Sequence, residues 1–520
     1  MNKQSLPVNY VILAFILIGS ALLMSHNISQ PWVGIVETDG AQFSQIAHNY
    51  LRYGIWNLHF GQATTPMPVT DLSQIHYYQH HPALLPLLTA GSFALFGESE
   101  AAARGLPIAM TLGSIALLFF ITRRIYDESL ALLATGIFAT LPAILFIGRK
   151  PGYEAPTLFF ILLTLGCYLN YRESNRSIYL VGLFVSLGAA LMTDWPAYLL
   201  VPALVLHYGW HEKNNRIINP IVLGLPLFSL AMLCLFGFFS YLSDPQNIGS
   251  VVYQGMTYMG LIGTDSPLAL RYTEANITFT PMQFIKQTLG KIDNLYAYPL
   301  PLMALFGAWF ERNERDASRT LIWILVFVAL SYCIIFYRSV YIHLWHTYYL
   351  TAPMAIFAAI AIRKLFVWHS PAQFIPKVTL VFMFALILSG AVPRLLNLYS
   401  LQIKLLPGDQ LEQSDFLKAV AIEIKRHSEP DDIIVSPLSP NSGHILSYYS
   451  GREVFLGQTK VKDTSASAFR RIHYFDLMPP TSVDSESVSF SHAKRQEFTV
   501  QGYRFIWLTQ AEMTQEMGKE

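Results

Sequence analysis

The 520-residue chain is 53% hydrophobic and 13% charged, with a mean hydropathy of +0.37 and a formal net charge of +1. Soluble domains carry roughly 25% charged residues, so this composition excludes a water-soluble globular protein and sets much of the chain against lipid. The near-zero charge, without a basic tail, gives no footing for nucleic acid.

The first apolar run, Val8 to Met24, is followed by Ser25-His26-Asn27, a poor match to a small-residue cleavage site. It reads as an uncleaved first helix. Further apolar runs lie near 104–121, 130–147, 155–171, 178–193, 196–210, 218–240, 297–311, 320–337, 347–366 and 375–394. They bring the expected number of spans to about eleven, given the ~20 mostly apolar residues that a bilayer crossing requires. The runs are continuous rather than alternating, which predicts helices.

Orientation follows from basic loops. Arg123 and Arg124, Arg172 and Arg176, Lys213 and Arg216, Arg312, Arg315 and Arg319, and Arg363, Lys364 and Lys377 fall on one side with the N-terminus. The Lys/Arg bias makes that side cytoplasmic. The other side receives 25–103, 148–154, 194–195, 241–296, 338–346 and everything after about 395. The run from Ala83 to Phe96 breaks the alternation if counted as a span, and is read as a helix along the outer interface. Trp56, Tyr77 and Tyr78 suit an interfacial belt there. The expected division is a membrane module over 1–400 and an extracytoplasmic α/β domain over 401–520. In the latter, Asp415 to His427 has helical spacing, while Ile433-Ile434-Val435 and Tyr503 to Leu508 read as strands.

Cys167, Cys234 and Cys333 lie far apart in apolar runs, so neither a disulfide framework nor a CxxC pair is present. No Walker A sequence occurs. Asn276-Ile277-Thr278 matches the short glycan-acceptor pattern.

The informative residues are ionisable groups at outer helix ends, where charge is expensive and marks a site or pathway. Asp39, in Glu37-Thr38-Asp39-Gly40, opens a helical segment from Ala41 to Tyr53 and reads either as an N-cap or as a general base. Arg149-Lys150-Pro151-Gly152-Tyr153-Glu154 places two cations and a carboxylate in one tight outer turn. That turn suits either an anionic head group or snorkelling to lipid phosphate. Asp194-Trp195-Pro196 divides two spans, and its aspartate also reads as a plain turn former. Arg338, Tyr341, His343, His346, Tyr348 and Tyr349 form a dense polar and aromatic patch. His76, His80 and His81 lack diagnostic metal spacing and read better as interfacial packing or substrate contacts.

Taken in order, several stretches resemble one family. Thr38-Asp39-Gly40-Ala41-Gln42-Phe43-Ser44-Gln45-Ile46-Ala47 is similar to its first outer motif, an Asp-Glu pair starting an interfacial helix. His81-Pro82-Ala83-Leu84-Leu85-Pro86-Leu87-Leu88 resembles its "PPL" segment, and Phe96 to Pro107 its "FG-SE-AAR-LP" segment. Glu154-Ala155 sits where it has a second outer-loop carboxylate, and His346 to Pro353 resembles its "H-YYLLP-P" motif. This is the GT-C superfamily of glycosyltransferases that use polyprenyl-phosphate sugars, in the bacterial branch related to protein O-mannosyltransferases and to the aminoarabinose transferase of lipid A. The resemblance covers roughly 5–400. Three departures stand out: Gly40 replaces the second carboxylate unless Glu37 substitutes, glutamate stands at 154 where aspartate is commoner, and Met192-Thr193-Asp194 lacks the lysine of an "LTK" turn.

The resemblance implies an all-α polytopic GT-C membrane protein with a small C-terminal α/β domain. It implies inverting transfer of a sugar from a polyprenyl-phosphate donor to a glycolipid, polysaccharide or protein acceptor of the cell envelope. The reaction would lie on the periplasmic face of a bacterial cytoplasmic membrane. On that reading Asp39 is the base and Glu154 orients acceptor or sugar. Arg149, Lys150 and Arg338 hold the leaving phosphate, and His343, His346, Tyr349 and His81 contact substrate. No cofactor motif appears, and a divalent cation stays open. The alternative from another class is a multi-pass transporter or flippase, which should show ionisable groups near the bilayer midplane and repeated halves. Here the charges gather at one face.

Overall fold

The structure is a computed structural model that describes residues 8–32, 34–212, 219–246, 248–262, 278–369, 389–398, 416–436, 443–456, 471–477, 494–500 and 503–509. Most of the expected span over 375–394, and Asn276-Ile277, lie outside the described residues.

The chain is chiefly helical. In order come α1 (Val8–Met24), α2 (Gly34–Tyr53), α3 (Leu84–Phe96), α4 (Glu100–Ile125), α5 (Glu128–Thr140), α6 (Pro142–Ile147), α7 (Glu154–Ser174), α8 (Ser177–Leu191) and α9 (Pro196–His211). They are followed by α10 (Leu225–Ser243), α11 (Ile248–Tyr258), α12 (Pro281–Tyr296), α13 (Leu300–Glu311), α14 (Leu321–Ile335), α15 (Tyr337–Ile342) and α16 (Thr351–His369). Local sequence explains their ends. Ser99 caps α4 by accepting from the Ala102 amide at 3.2 Å, and Asp127 caps α5 by accepting from the Leu130 amide at 2.9 Å. Thr280 and Gln283 form a capping box on α12. The expected span over 130–147 is divided, because Pro142 has no N–H to continue a helix and instead starts α6.

The segment α2 begins five residues before Asp39, not at it. Asp39 therefore stands in the helix body, and the N-cap reading fails.

Among the described residues, Glu100–Ile125 and Pro220–Ser243 are long and apolar enough to cross a bilayer. Shorter apolar helices, among them α1 and α14, accompany them. Large apolar side chains such as Phe15, Leu95, Ile334 and Trp210 point outward from the bundle, a surface that suits lipid better than water. Inside, small residues bring helices together. An added Cβ at Gly307 of α13 would lie 1.8 Å from the Phe357 carbonyl oxygen of α16, and Ala352, Ala355, Ala358, Ala359 and Ala361 of α16 are fully buried. This is the small-residue packing that membrane helices use for close approach.

Towards the C-terminus lie α17 (Phe416–His427) and α18 (Gly443–Ser450) and a five-stranded sheet. Its strands are β3 (Ile433–Ser436), β4 (Glu453–Leu456), β5 (Ile472–Leu477), β6 (Lys494–Val500) and β7 (Tyr503–Thr509); β1 (Gln62–Ala63) and β2 (Tyr77–Tyr78) form a separate ladder. The order is β4-β3-β5-β7-β6, with β3 parallel to β4 and β5, and β7 antiparallel to β5 and β6. Phe416, Val420 and Ile424 of α17 pack on Ile434, Phe475, Phe505 and Trp507 of the sheet. The second helix, α18, faces the other way. Ile445 is buried with Trp32, Phe43 and Tyr50 around α2, and the Tyr449 hydroxyl donates to Glu100 at 2.7 Å and accepts from the Trp32 amide at 2.8 Å.

Candidate active site

A cavity of about 870 Å³ opens where α2, α7, α10, α11, the α8–α9 turn and the segment after α14 meet. That volume is in the range of small-molecule sites. Its ionisable lining is Asp39, His81, Glu154, Asp194, His343 and His346; the lining from α10 and α11 is chiefly apolar, with Leu233, Phe236, Val251, Val252, Met256 and Met259 beside Ser240 and Gln254.

On α2, Asp39, Gln42 and Phe43 share a helix face and all reach the cavity. The Asp39 carboxylate accepts from the Lys150 ammonium at 2.6 Å. Lys150 is buried and lies 3.7 Å over the Trp345 ring. Burial opposes the Lys150 charge, but Asp39, Glu154 and Glu37 outweigh it and hold the ammonium above its ordinary value.

The first departure noted in the sequence acquires a physical reason. An added Cβ at Gly40 would lie 2.7 Å from the Trp32 indole, so this helix position has no room for a second carboxylate. Glu37 does not replace it, because it is not on the cavity wall and pairs at 3.0 Å with the buried Arg104.

Glu154 is the first residue of α7, where the helix dipole favours an anion. Burial nevertheless pushes its carboxyl up; Lys150 opposes the shift and Asp39 adds to it. Its Oε2 is buried and has no hydrogen-bond partner among the described residues, an exception that asks for a ligand-side explanation. Gly152 lets Lys150 and Glu154 close together: a Cβ there would lie 2.7 Å from Lys150 Cε and 2.6 Å from Glu154 Oε2.

Asp194 does more than turn the chain. Its Oδ1 accepts from the Trp195 amide at 2.7 Å and lies 3.5 Å from His81 Nε2, and its Oδ2 accepts from the Tyr349 hydroxyl at 2.7 Å. Burial raises its pKa to about 7, with the Tyr349 bond opposing and Glu154 adding. His81 stacks on Tyr153 with centroids 4.3 Å apart, and its Nδ1 is 2.6 Å from the Tyr78 hydroxyl. Burial lowers its pKa to about 3, so the ring is neutral. His343 is likewise pushed down, to about 4, by burial. His343 and His346 stack with centroids 5.2 Å apart, and Ser339 Oγ is 2.7 Å from His346 Nε2.

The expected phosphate-holding cations are placed differently. Among the described residues no Arg or Lys lines the cavity. Arg149 is buried behind the wall and donates to the Asn27 carbonyl at 3.3 Å. Arg338 donates to the Ile262 carbonyl at 3.5 Å, and Lys150 is engaged by Asp39. Tyr349 stands one layer back, on Asp194. Sequence reasoning missed Lys291 and His444. Lys291 of α12 donates to the carbonyls of Val340, at 2.6 Å, and His343, at 3.1 Å, and so fixes the segment carrying His343. His444 of α18 lines the cavity beside residues of α2. Neither has a motif; both arrive through long-range packing. No group of three or more His, Cys, Asp or Glu is gathered to hold a metal ion among the described residues.

Comparison with known proteins then finds a family described as dolichyl-phosphate-mannose-protein mannosyltransferase, whose profile matches residues 80–240. A Bacillus subtilis (strain 168) protein named as a mannosyltransferase, YkcB, is 25% identical over 169 residues, which is 32% of this chain and 23% of YkcB. The chain thus matches about a quarter of that relative's length. The solved structure of ArnT from Cupriavidus metallidurans bound to undecaprenyl phosphate superposes with a TM-score of 0.64 at 12% identity, over 96% of this chain and 98% of ArnT. The Archaeoglobus fulgidus oligosaccharyltransferase AglB, in complex with an inhibitory peptide and a dolichol-phosphate, superposes with a TM-score of 0.56 at 12% identity, over 89% of this chain and 69% of AglB.

Proposed function

From a chain that has the fold of the GT-C glycosyltransferase superfamily, we propose an inverting transfer of a sugar from a polyprenyl-phosphate donor to a glycolipid, polysaccharide or protein of the bacterial envelope. The observation that carries this reading is the placement of Asp39. It lines a cavity to which α10 and α11 bring chiefly apolar side chains and the other segments bring ionisable ones, and a buried lysine holds its carboxylate. The apolar lining suits the lipid of the donor, and the ionisable lining suits its sugar and phosphate.

In the proposed step Asp39 takes the proton of an acceptor hydroxyl. The freed oxygen attacks the anomeric carbon from the face opposite the phosphate. The anomeric C–O bond breaks, and its electron pair leaves with the polyprenyl phosphate. Lys150 is a positioning residue for Asp39. Glu154 accepts from a sugar or acceptor hydroxyl through its unpartnered Oε2. His343 and His346, as neutral imidazoles, contact the departing phosphate, and His81 contacts the sugar. We place the site on the outer face of the cytoplasmic membrane, with about eleven spans, a membrane module over 1–400 and a periplasmic domain over 401–520. The basic loops on the opposite side support that orientation.

The test is transfer from radiolabelled polyprenyl-phosphate sugars into membrane lipid, polysaccharide and protein fractions. Wild type should label one fraction. Asp39→Asn should fold and lose about 10²–10⁴-fold in rate, the usual contribution of a general base. Lys150→Met should lower kcat while leaving the KM for donor near wild type, since Lys150 does not line the cavity. Full turnover by Asp39→Asn refutes the assignment.

A further inference from the structure

A second cavity, of about 530 Å³, lies between α4, α7 and α8, away from the candidate active site. Glu154 lines the first cavity and Asn170 the second, so at 1.5 Å per residue they stand about 24 Å apart along α7. The interior is apolar, formed by Leu117, Phe120, Ile121, Leu163 and Leu169. Arg123 and Arg124, in the last turn of α4, and Tyr179, in the first turn of α8, line it as well. This combination is unlike plain helix packing, because an apolar slot ends at two guanidinium groups.

Among the described residues, those groups retain binding capacity. Arg123 places Nε 2.8 Å from Glu128 and gives Nη1 to Tyr10, which leaves its Nη2. Arg124 donates Nε to Glu173 at 2.7 Å and also gives Nη2 to it, which leaves its Nη1. A guanidinium has five donors in a fork that matches phosphate. The two carboxylates, by contrast, are already engaged by these arginines, so neither stands free to receive an ammonium head group.

We propose that this cavity binds one anionic phospholipid, with its phosphodiester on Arg123 and Arg124 and an acyl chain along Leu117, Phe120 and Leu163. Basic pockets between membrane helices are suited to such lipids. The proposal is independent of the glycosyl-transfer reading, and its test needs no sugar substrate.

The test is native mass spectrometry of the full-length protein in detergent, titrated separately with phosphatidylglycerol and phosphatidylcholine. Wild type should keep one phosphatidylglycerol under activation that strips phosphatidylcholine. Arg123→Gln with Arg124→Gln should weaken phosphatidylglycerol binding about 30-fold, from the usual contribution of two basic residues. Gly166→Leu keeps both arginines but fills the slot; a Cβ at Gly166 meets only Ile121, at 3.8 Å, so this variant decides the matter if the double variant does not fold. It too should lose the bound lipid. Equal retention of the two lipids by wild type, retention unchanged in Gly166→Leu, or displacement of the lipid by inorganic phosphate alone would each overturn the proposal.

Discussion

A single ammonium group organises the ionisable lining. Lys150 donates to Asp39, lies against the Trp345 face and stands beside Glu154 across Gly152. Asp194 is the second organising residue, and it has a measurable signature. Burial holds its carboxyl at about 7 against an ordinary 3.8. The folded state therefore keeps a proton that the unfolded state releases. Its favourable contribution is complete below pH 4 and is lost as pH rises through 7, with a slope between those limits of about 1.4 kcal/mol for each pH unit. Asp194→Asn should remove this slope. Thermal unfolding in detergent between pH 4 and 8 should fall more steeply for wild type than for the variant; parallel curves would count against it. Asp39, Glu154, His81, His343 and His346 are legible in the sequence because charge or imidazole close to an apolar run is itself a signal. The engagement of Lys150 by Asp39 is not, since it joins positions 111 residues apart. Asp194 looks like a turn former because its partners, His81 and Tyr349, are equally remote.

At the scale of elements, hydrophobic runs give the helices well: Val8–Met24 and Leu84–Phe96 match their apolar stretches, and Phe416–His427 its helical spacing. Boundaries set by packing are less visible. Helix α2 extends upstream through Gly34-Ile35-Val36, where the sequence offers no cap, and the loop before it is held by Arg104 donating to the Ile28 carbonyl at 2.7 Å. Contacts between helices are fixed by single small residues. Gly307→Leu must force α13 from α16, where even a Cβ would meet the Phe357 carbonyl. Overpacking of this kind costs about 1–3 kcal/mol or more. The expected result is a lower Tm in detergent; an unchanged Tm would show that the two helices separate freely.

At the scale of the molecule, the two ends of the sequence build one cavity. Ile445 is fully buried among Trp32, Phe43 and Tyr50, while His444 beside it lines the cavity. The C-terminal sheet is thereby joined to the helices through α18 rather than tethered loosely. Ile445→Ala should cost about 2–5 kcal/mol, as large-to-small changes in cores do, and should lower transfer as well as Tm. Ile422→Ala, at an exposed position of α17, is the control and should change neither. A loss of stability without loss of transfer would separate α18 from the site.

The Trp32–Gly40 contact also limits the order in which this site can change over generations. Any side chain at 40 meets the indole, so a second acidic residue there is accessible only after Trp32 has become smaller. That first change is itself unfavourable, because the Arg104 guanidinium rests 4.2 Å over the same ring. Introducing an Asp-Glu pair into this background therefore requires two coupled changes, the first of which weakens the packing around Arg104.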